Sequence, residues 1–225
     1  MDPVIMYFLF ILGIVITMYA QFKVQHNFSK YSRVANTRRL TGGEVARIIL
    51  DRNGLSNIRI EGVRGSLTDH YSPNEGVLRL SESVYNVESV AAIAVAAHEA
   101  GHAIQHRDDY GPMKFRSALV PLANLGSRAS SILILLGLIF QTGRIFDLGI
   151  LFFSLAVLFY IITLPVEFNA SKRALNELSR QGLIAESEYG AAKNVLSAAA
   201  LTYVASALSA VFYLLRLMSM RERRD

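Results

Sequence analysis

Hydrophobic and polar positions vary along this chain on two scales. On the coarse scale, four long apolar runs are separated by polar segments. "PVIMYFLFILGIVITMYAQF" (3–22) and "LGILFFSLAVLFYIITLP" (148–165) carry no charge. "ALVPLANLGSRASSILILLGLIF" (118–140) is interrupted by Arg128, and "VLSAAALTYVASALSAVFYLLRLM" (195–218) is rich in Ala and Ser with Arg216 near its end. About twenty apolar residues cross a ~30 Å hydrocarbon core, so about four hydrophobic membrane helices are expected.

On the fine scale, the polar segments alternate with shorter periods. "LTGGEVARIILDRNGL" predicts a short helix: Thr41 and Glu44 have capping-box spacing, Val45, Ile48 and Ile49 form one face, and Gly54 is a stop. "NIRIEGV" alternates with the two-residue period of a strand. "SLTDHY", "SPNEG" and "VLRLS" read as a β-hairpin turning at residues 73–76. A long helix over 87–106 follows, ending before "DDYGP". After the third apolar run, Pro165 suits the first turn of a new helix, or a kink leaving the membrane. That polar helix has Ala170, Ala174, Leu175 and Leu178 at helical spacing and ends at Gly182.

Composition sharpens this picture. The 52% hydrophobic content and mean hydropathy of +0.32 are concentrated in the four runs. The first run lacks a preceding Lys or Arg, and Lys23, Lys30, Arg33, Arg38 and Arg39 follow it, the pattern of an uncleaved anchor rather than a cleaved signal. Segment 23–117 holds 13 of the 23 basic residues and 167–194 holds four more, whereas the loop between the second and third runs has only Arg144. By the positive-inside rule both large polar segments face the cytoplasm. The C-terminal "RERRD" disagrees with four full crossings, so the fourth run either crosses against the rule or packs without crossing. The expected organisation is an anchor (1–22), a cytoplasmic half (23–117), a transmembrane hairpin (118–165), a cytoplasmic helical segment (166–194) and a C-terminal hydrophobic helix with a basic tail (195–225). The net charge of +5 then faces anionic lipid. Its scattered basic residues give no nucleic-acid stripe, so no nucleic-acid partner is expected. With no cysteine, any metal is held by His, Asp or Glu.

The chemistry concentrates in "AAIAVAAHEAGHAIQH" (91–106), which holds three of the five histidines. His98 and His102, at i and i+4, share one helix face and can reach one ion. Zinc, one per chain, suits imidazole in the absence of thiolates. Glu99 is offset by about 100° around the helix, beside the ion, where it can take a proton from a metal-acidified water and pass it to a leaving amine. Burying His, Glu and His together on an apolar helix has no packing rationale, because unpaired ionisable groups are costly there. A catalytic zinc needs a third protein ligand, and three candidates compete. His106 continues the i+4 series but lies along one straight helix. Asp108 falls ten residues after His98, without the glycine turn that such a ligand needs, since Gln105 stands there. Glu167, in "LPVEFNASKRAL", comes from a second helix at the same membrane face.

These motifs, with "LTDHYSPNEGVLRLSESVY" before them, resemble the YugP-type neutral zinc metallopeptidases of bacteria through nearly the whole chain. They are more distantly similar to the HtpX-type membrane proteases. The resemblance implies an α+β, gluzincin-like zincin core of an active-site helix and small β-sheet, combined with the membrane helices. It implies zinc on His98, His102 and Glu167, Glu99 as catalytic base, and a protein or peptide substrate cleaved at its peptide bonds. The HtpX-type proteins have an aspartate four residues after their glutamate ligand to support a histidine; here Ser171 stands there, so that role is either weaker or falls to another residue such as Asn169.

His70 and Tyr71, on a strand next to the helix, are candidate substrate-binding residues: such strands pair with extended peptide backbone, and either side chain could face an oxyanion. Two other functions compete. An intramembrane site-2-type protease also carries this histidine motif, but the apolar stretch 87–97 is too short to span and no Asn-Pro…Leu-Asp-Gly motif is present. A non-catalytic zinc-binding scaffold would have no need of Glu99. The small residues of the fourth run also suit a homo-oligomer or a membrane scaffold partner.

Overall fold

A computed structural model of the chain describes residues 3–222. Met1, Asp2, Arg223, Arg224 and Asp225, part of the expectations for the two ends, lie outside them. The elements are α1 (Pro3–Ser32), α2 (Gly42–Arg52), β1 (Arg59–Val63), β2 (His70–Ser72), β3 (Val77–Ser81), α3 (Val90–Arg107), α4 (Gly111–Ile139), α5 (Gly143–Arg180) and α6 (Glu186–Arg221). Among the described residues α1, α4, α5 and α6 are long and apolar enough to cross a membrane, by length and composition. A small sheet beside long helices gives the expected α+β class. The chain forms two compact units: 3–21, Gly111–Pro165 and 201–222 make one, and Phe22–Tyr110 with Val166–Ala200 make the other.

The first unit is a helix assembly held by close backbone approach. On α4 the buried positions Ala123, Gly126, Ser130, Ile134 and Gly137 recur every three or four residues, one helical face. A Cβ on Gly137 would lie 2.7 Å from Phe146 N, one on Gly149 2.7 Å from Ile134, and one on Gly126 2.7 Å from Phe152 O. These three glycines let α4 and α5 pack antiparallel at backbone distance. Small residues do the same between α1 and α6, where Ser209 Oγ donates to Gly13 O (2.8 Å) and lies 2.9 Å from Thr17 Oγ1. At Ser209, then, the small-residue run of α6 serves packing within the chain. Asp147 of α5 pairs with Arg221 of α6 at 3.0 Å.

The second unit is built around α3. Both halves of the Thr41–Glu44 capping box form on α2, which buries Val45, Ala46, Ile49 and Leu50. The sheet order is β1-β3-β2, with β1 parallel and β2 antiparallel to the central β3. The hairpin turns between β2 and β3, where Gly76 adopts φ +62. Seven alanines let α3 be buried on nearly every side, in one core with α2, β3 and the last turns of α5. The Ser89 hydroxyl accepts the Ala92 N–H, so α3 begins at Val90 rather than at residue 87.

One further expectation changes. Pro165 starts no new helix: α5 runs through it without a break to Arg180, because Val166, Ala170, Ala174 and Leu178 carry one buried stripe straight on past it. The fourth run is part of one 36-residue helix starting at Glu186.

Gly101 of α3 faces the backbone of α5, where an added Cβ would lie 2.7 Å from Ala170 O. Gly101→Ala should therefore cost about 1–3 kcal/mol through overpacking. Gly190→Ala in α6, where nothing lies within 4 Å, should be neutral or stabilise by up to about 1 kcal/mol. Thermal unfolding in detergent compares the two.

Candidate metal centre

All three residues of the candidate metal site lie in the second unit, on two helices. His98 and His102 stand one turn apart on α3, with ring centroids separated by 4.7 Å. Glu167 sits opposite them on α5, its side chain 3% exposed. Its Oε2 is 3.3 Å from His98 Nε2 and 3.6 Å from His102 Nε2, and ligand atoms of the three residues all lie within 4.8 Å of one another. Tetrahedral zinc with bonds of about 2.0–2.1 Å separates its ligands by about 3.3–3.5 Å. The two carboxylate–imidazole separations therefore fit a metal of that size, and the donor set fits its preference. Two imidazoles and one carboxylate also leave a fourth position for water or substrate. Glu99, adjoining His98, is 8% exposed.

The histidines are oriented from behind, and the hydrogen bonds fix one of the tautomers. Arg173 can only donate, and its Nε donates to Asn169 Oδ1 at 2.8 Å. That oxygen also accepts from Gln105 Nε2 at 2.9 Å, while the same nitrogen donates to Val166 O at 2.8 Å. Both Gln105 N–H groups are thereby used, which turns its Oε1 towards His102 Nδ1 at 3.0 Å. Since that oxygen only accepts, His102 carries its proton on Nδ1 and leaves Nε2 to face Glu167. On the other ligand, Ser171 Oγ lies 3.2 Å from His98 Nδ1.

Electrostatics agree with this geometry. Burial works against a charged His102, but the hydrogen bond to Glu167 and the negative charges of Glu99 and Glu167 outweigh it and raise its pKa above the ordinary imidazole value. The same carboxylates that favour a proton on His102 would favour a cation there.

The remaining candidates lie elsewhere. Asp108 is tied to Arg107 at 2.8 Å and Arg173 at 2.6 Å, and the Arg107 hydrogen bond holds its carboxyl below the usual range. His106 is exposed, and its Nδ1 lies 3.0 Å from the Tyr71 hydroxyl. Burial pushes that phenol up. His70 is exposed on β2, with Nδ1 2.9 Å from Thr68 O; neither it nor Tyr71 belongs to the three-residue cluster.

Sequence reasoning passed over Gln105, although a fully buried glutamine three residues after His102 on an alanine helix was a signal. Of the two alternatives for supporting a histidine, Ser171 itself makes the contact, to His98, and Asn169 acts one bond further out, on Gln105.

Residues 6–222 match a protein family described as "Putative neutral zinc metallopeptidase". The chain belongs to this family. It is also 49% identical over 209 residues, 93% of each chain, to a Bacillus subtilis (strain 168) protein named "Putative membrane protease YugP". No solved structure matches it significantly.

For this family member, two outcomes follow from the supporting bonds. Gln105→Leu, close in volume but unable to accept from His102, should weaken zinc binding about 10- to 100-fold, measured against a chromophoric chelator. A zinc ion on His102 would compete with a proton whose binding Glu167 and Glu99 favour, so zinc affinity should fall on acidification, beginning above the ordinary imidazole range. Titrations across a pH series check this.

Proposed function

We propose that this protein is a membrane-bound, zinc-dependent endopeptidase in which His98, His102 and Glu167 hold one zinc ion and Glu99 is the general base and then the general acid. The observation that carries this reading is the convergence of two imidazole nitrogens and one carboxylate oxygen at zinc-ligand separations, from two helices of one compact unit. Family membership and the similarity to a protein named as a membrane protease support it.

Bound zinc would supply Lewis acidity, acidifying a water and polarising a scissile carbonyl. The residues supply the rest. Glu99 accepts the proton of the attacking water as the C–O bond forms, then delivers it to the departing amine as the C–N bond breaks. Gln105 and Ser171 hold the two imidazole rings, so that the site needs little reorganisation. On the sheet, β3 pairs with β2 on only one side of that strand, so an extended peptide can add to its outer edge by backbone hydrogen bonding. The Tyr71–His106 contact joins this strand to α3 one turn beyond His102, which makes Tyr71 and, beside it on the same strand, His70 the substrate-facing candidates.

α3 has 18 residues and is absent from the helices apolar enough to span, which favours cleavage outside the bilayer core over the site-2-type alternative. The concentration of Lys and Arg in 23–117 and 167–194 supports a cytoplasm-facing site in contact with anionic lipid.

Purified protein in detergent or nanodiscs tests the reading with an unstructured fluorogenic peptide library. Glu99→Gln should keep one zinc per chain and lose activity by roughly 100- to 10,000-fold. Equal turnover by this variant would overturn the peptidase reading. Glu167→Ala should lose zinc on dialysis; retention of one ion with unchanged affinity would remove Glu167 from the ligand set.

A further inference from the structure

A second charged feature lies far along the chain from the zinc site and plays no part in it. Arg128 sits inside the apolar run of α4, on the side of the helix turned away from its buried face. Ser130 lies at the centre of that face, with Ala123, Gly126, Ile134 and Gly137 around it. At 100° per residue, Arg128 is displaced about 160° from Ser130. It is exposed and makes no hydrogen bond or ion pair among the described residues. Asn124, one turn earlier on the same side, is likewise exposed with an unbonded side-chain amide. Ser127 and Ser131, the other hydroxyls nearby, are spent on their own helix's carbonyls.

The glycine contacts set the depth of this pair. Gly137 of α4 lies against Phe146 of α5, Gly149 of α5 against Ile134, and Gly126 against Phe152 and Leu155. Arg128 therefore stands level with the 152–155 turn of α5, within the stretch between Asp147 and Glu167 that carries no charge. Helical side chains lean towards the N-terminus of their helix. For Arg128 that direction leads away from the 140–142 turn and further into the uncharged stretch, rather than out to the near interface. Charged groups at such depth almost always pair or line a cavity. An unpaired, outward-facing guanidinium and amide are thus half of an interface.

The chain's own carboxylates do not supply the other half. Among its described residues the first unit holds two carboxylates, Asp147 and Glu222; Asp147 is paired with Arg221, and neither forms an ion pair with Arg128. A second copy packed symmetrically in the same membrane, α4 against α4, would bring Arg128 against Arg128. We propose that the Asn124–Arg128 face of α4 docks a transmembrane helix of a different membrane protein, one that carries an Asp or Glu within the bilayer core. The carboxylate accepts from the Arg128 guanidinium, and Asn124 hydrogen-bonds to the same helix. This does not depend on the hydrolytic reading.

The test uses the full chain in nanodiscs and a dye-labelled, Leu/Ala-rich transmembrane peptide with one central Glu, at mildly alkaline pH, read by energy transfer. The Glu peptide should associate about tenfold more tightly than its Gln counterpart. Arg128→Leu should abolish that difference, Arg128→Lys should retain part of it, and zinc content should stay unchanged in both. Equal association of the Glu and Gln peptides with the wild type would overturn the proposal, as would an undiminished preference in Arg128→Leu. Arg128-dependent self-association without peptide would overturn it in favour of a second copy.

Discussion

Burying ionisable groups is tolerable only when they neutralise one another or a metal, and that constraint organises the second unit of this protein. His98, His102, Glu99 and Glu167 meet where water is largely excluded. They can remain there because two imidazoles face a carboxylate and a second carboxylate stands beside them. The helices that carry them must therefore approach closely, and Gly101 lets the backbone of α3 meet that of α5. The alanines of α3 serve the same end, since larger side chains would hold the two helices apart.

A second layer of polar groups turns this proximity into orientation. The path from Arg173 through Asn169 and Gln105 to His102 contains one donor-only group, and that single asymmetry sets every later donor and acceptor along it. Ser171 performs the matching task for His98 with a hydroxyl, a weaker and more adaptable partner than a carboxylate. The two ligands are thus held by different means: one by a chain of committed bonds, the other by a rotatable group.

Membrane segments obey a different rule, because lipid offers no hydrophobic drive for helices to associate. The first unit answers with small residues, Gly126, Gly137 and Gly149 between α4 and α5, and Gly13 and Ser209 between α1 and α6. Where that logic is broken, at Arg128 and Asn124, the exception marks a surface made for something other than lipid.

Much of this was legible in the order of residues. The capping box, the β-hairpin, the four apolar runs and the histidine pair are local patterns, each decided by spacings of a few residues, and so they can be read before folding. From spacing alone Glu167 was one of three candidates, singled out only by the family resemblance, because its place opposite the histidines depends on α3 and α5 meeting more than sixty residues apart in the chain. The continuity of α5 through Pro165 was hidden for a similar reason: a proline's local preference yields to a buried stripe that exists only once the core has formed. Gln105 and Ser171 stand at telling spacings, but their roles are set by which atoms face them across two helices, and that no spacing gives. The sequence by itself determined the candidate ligand types and the membrane-sized segments; the tertiary structure decided which carboxylate meets the two histidines and how each ring is held, because hydrogen bonds are directional and depend on three-dimensional approach rather than on order along the chain.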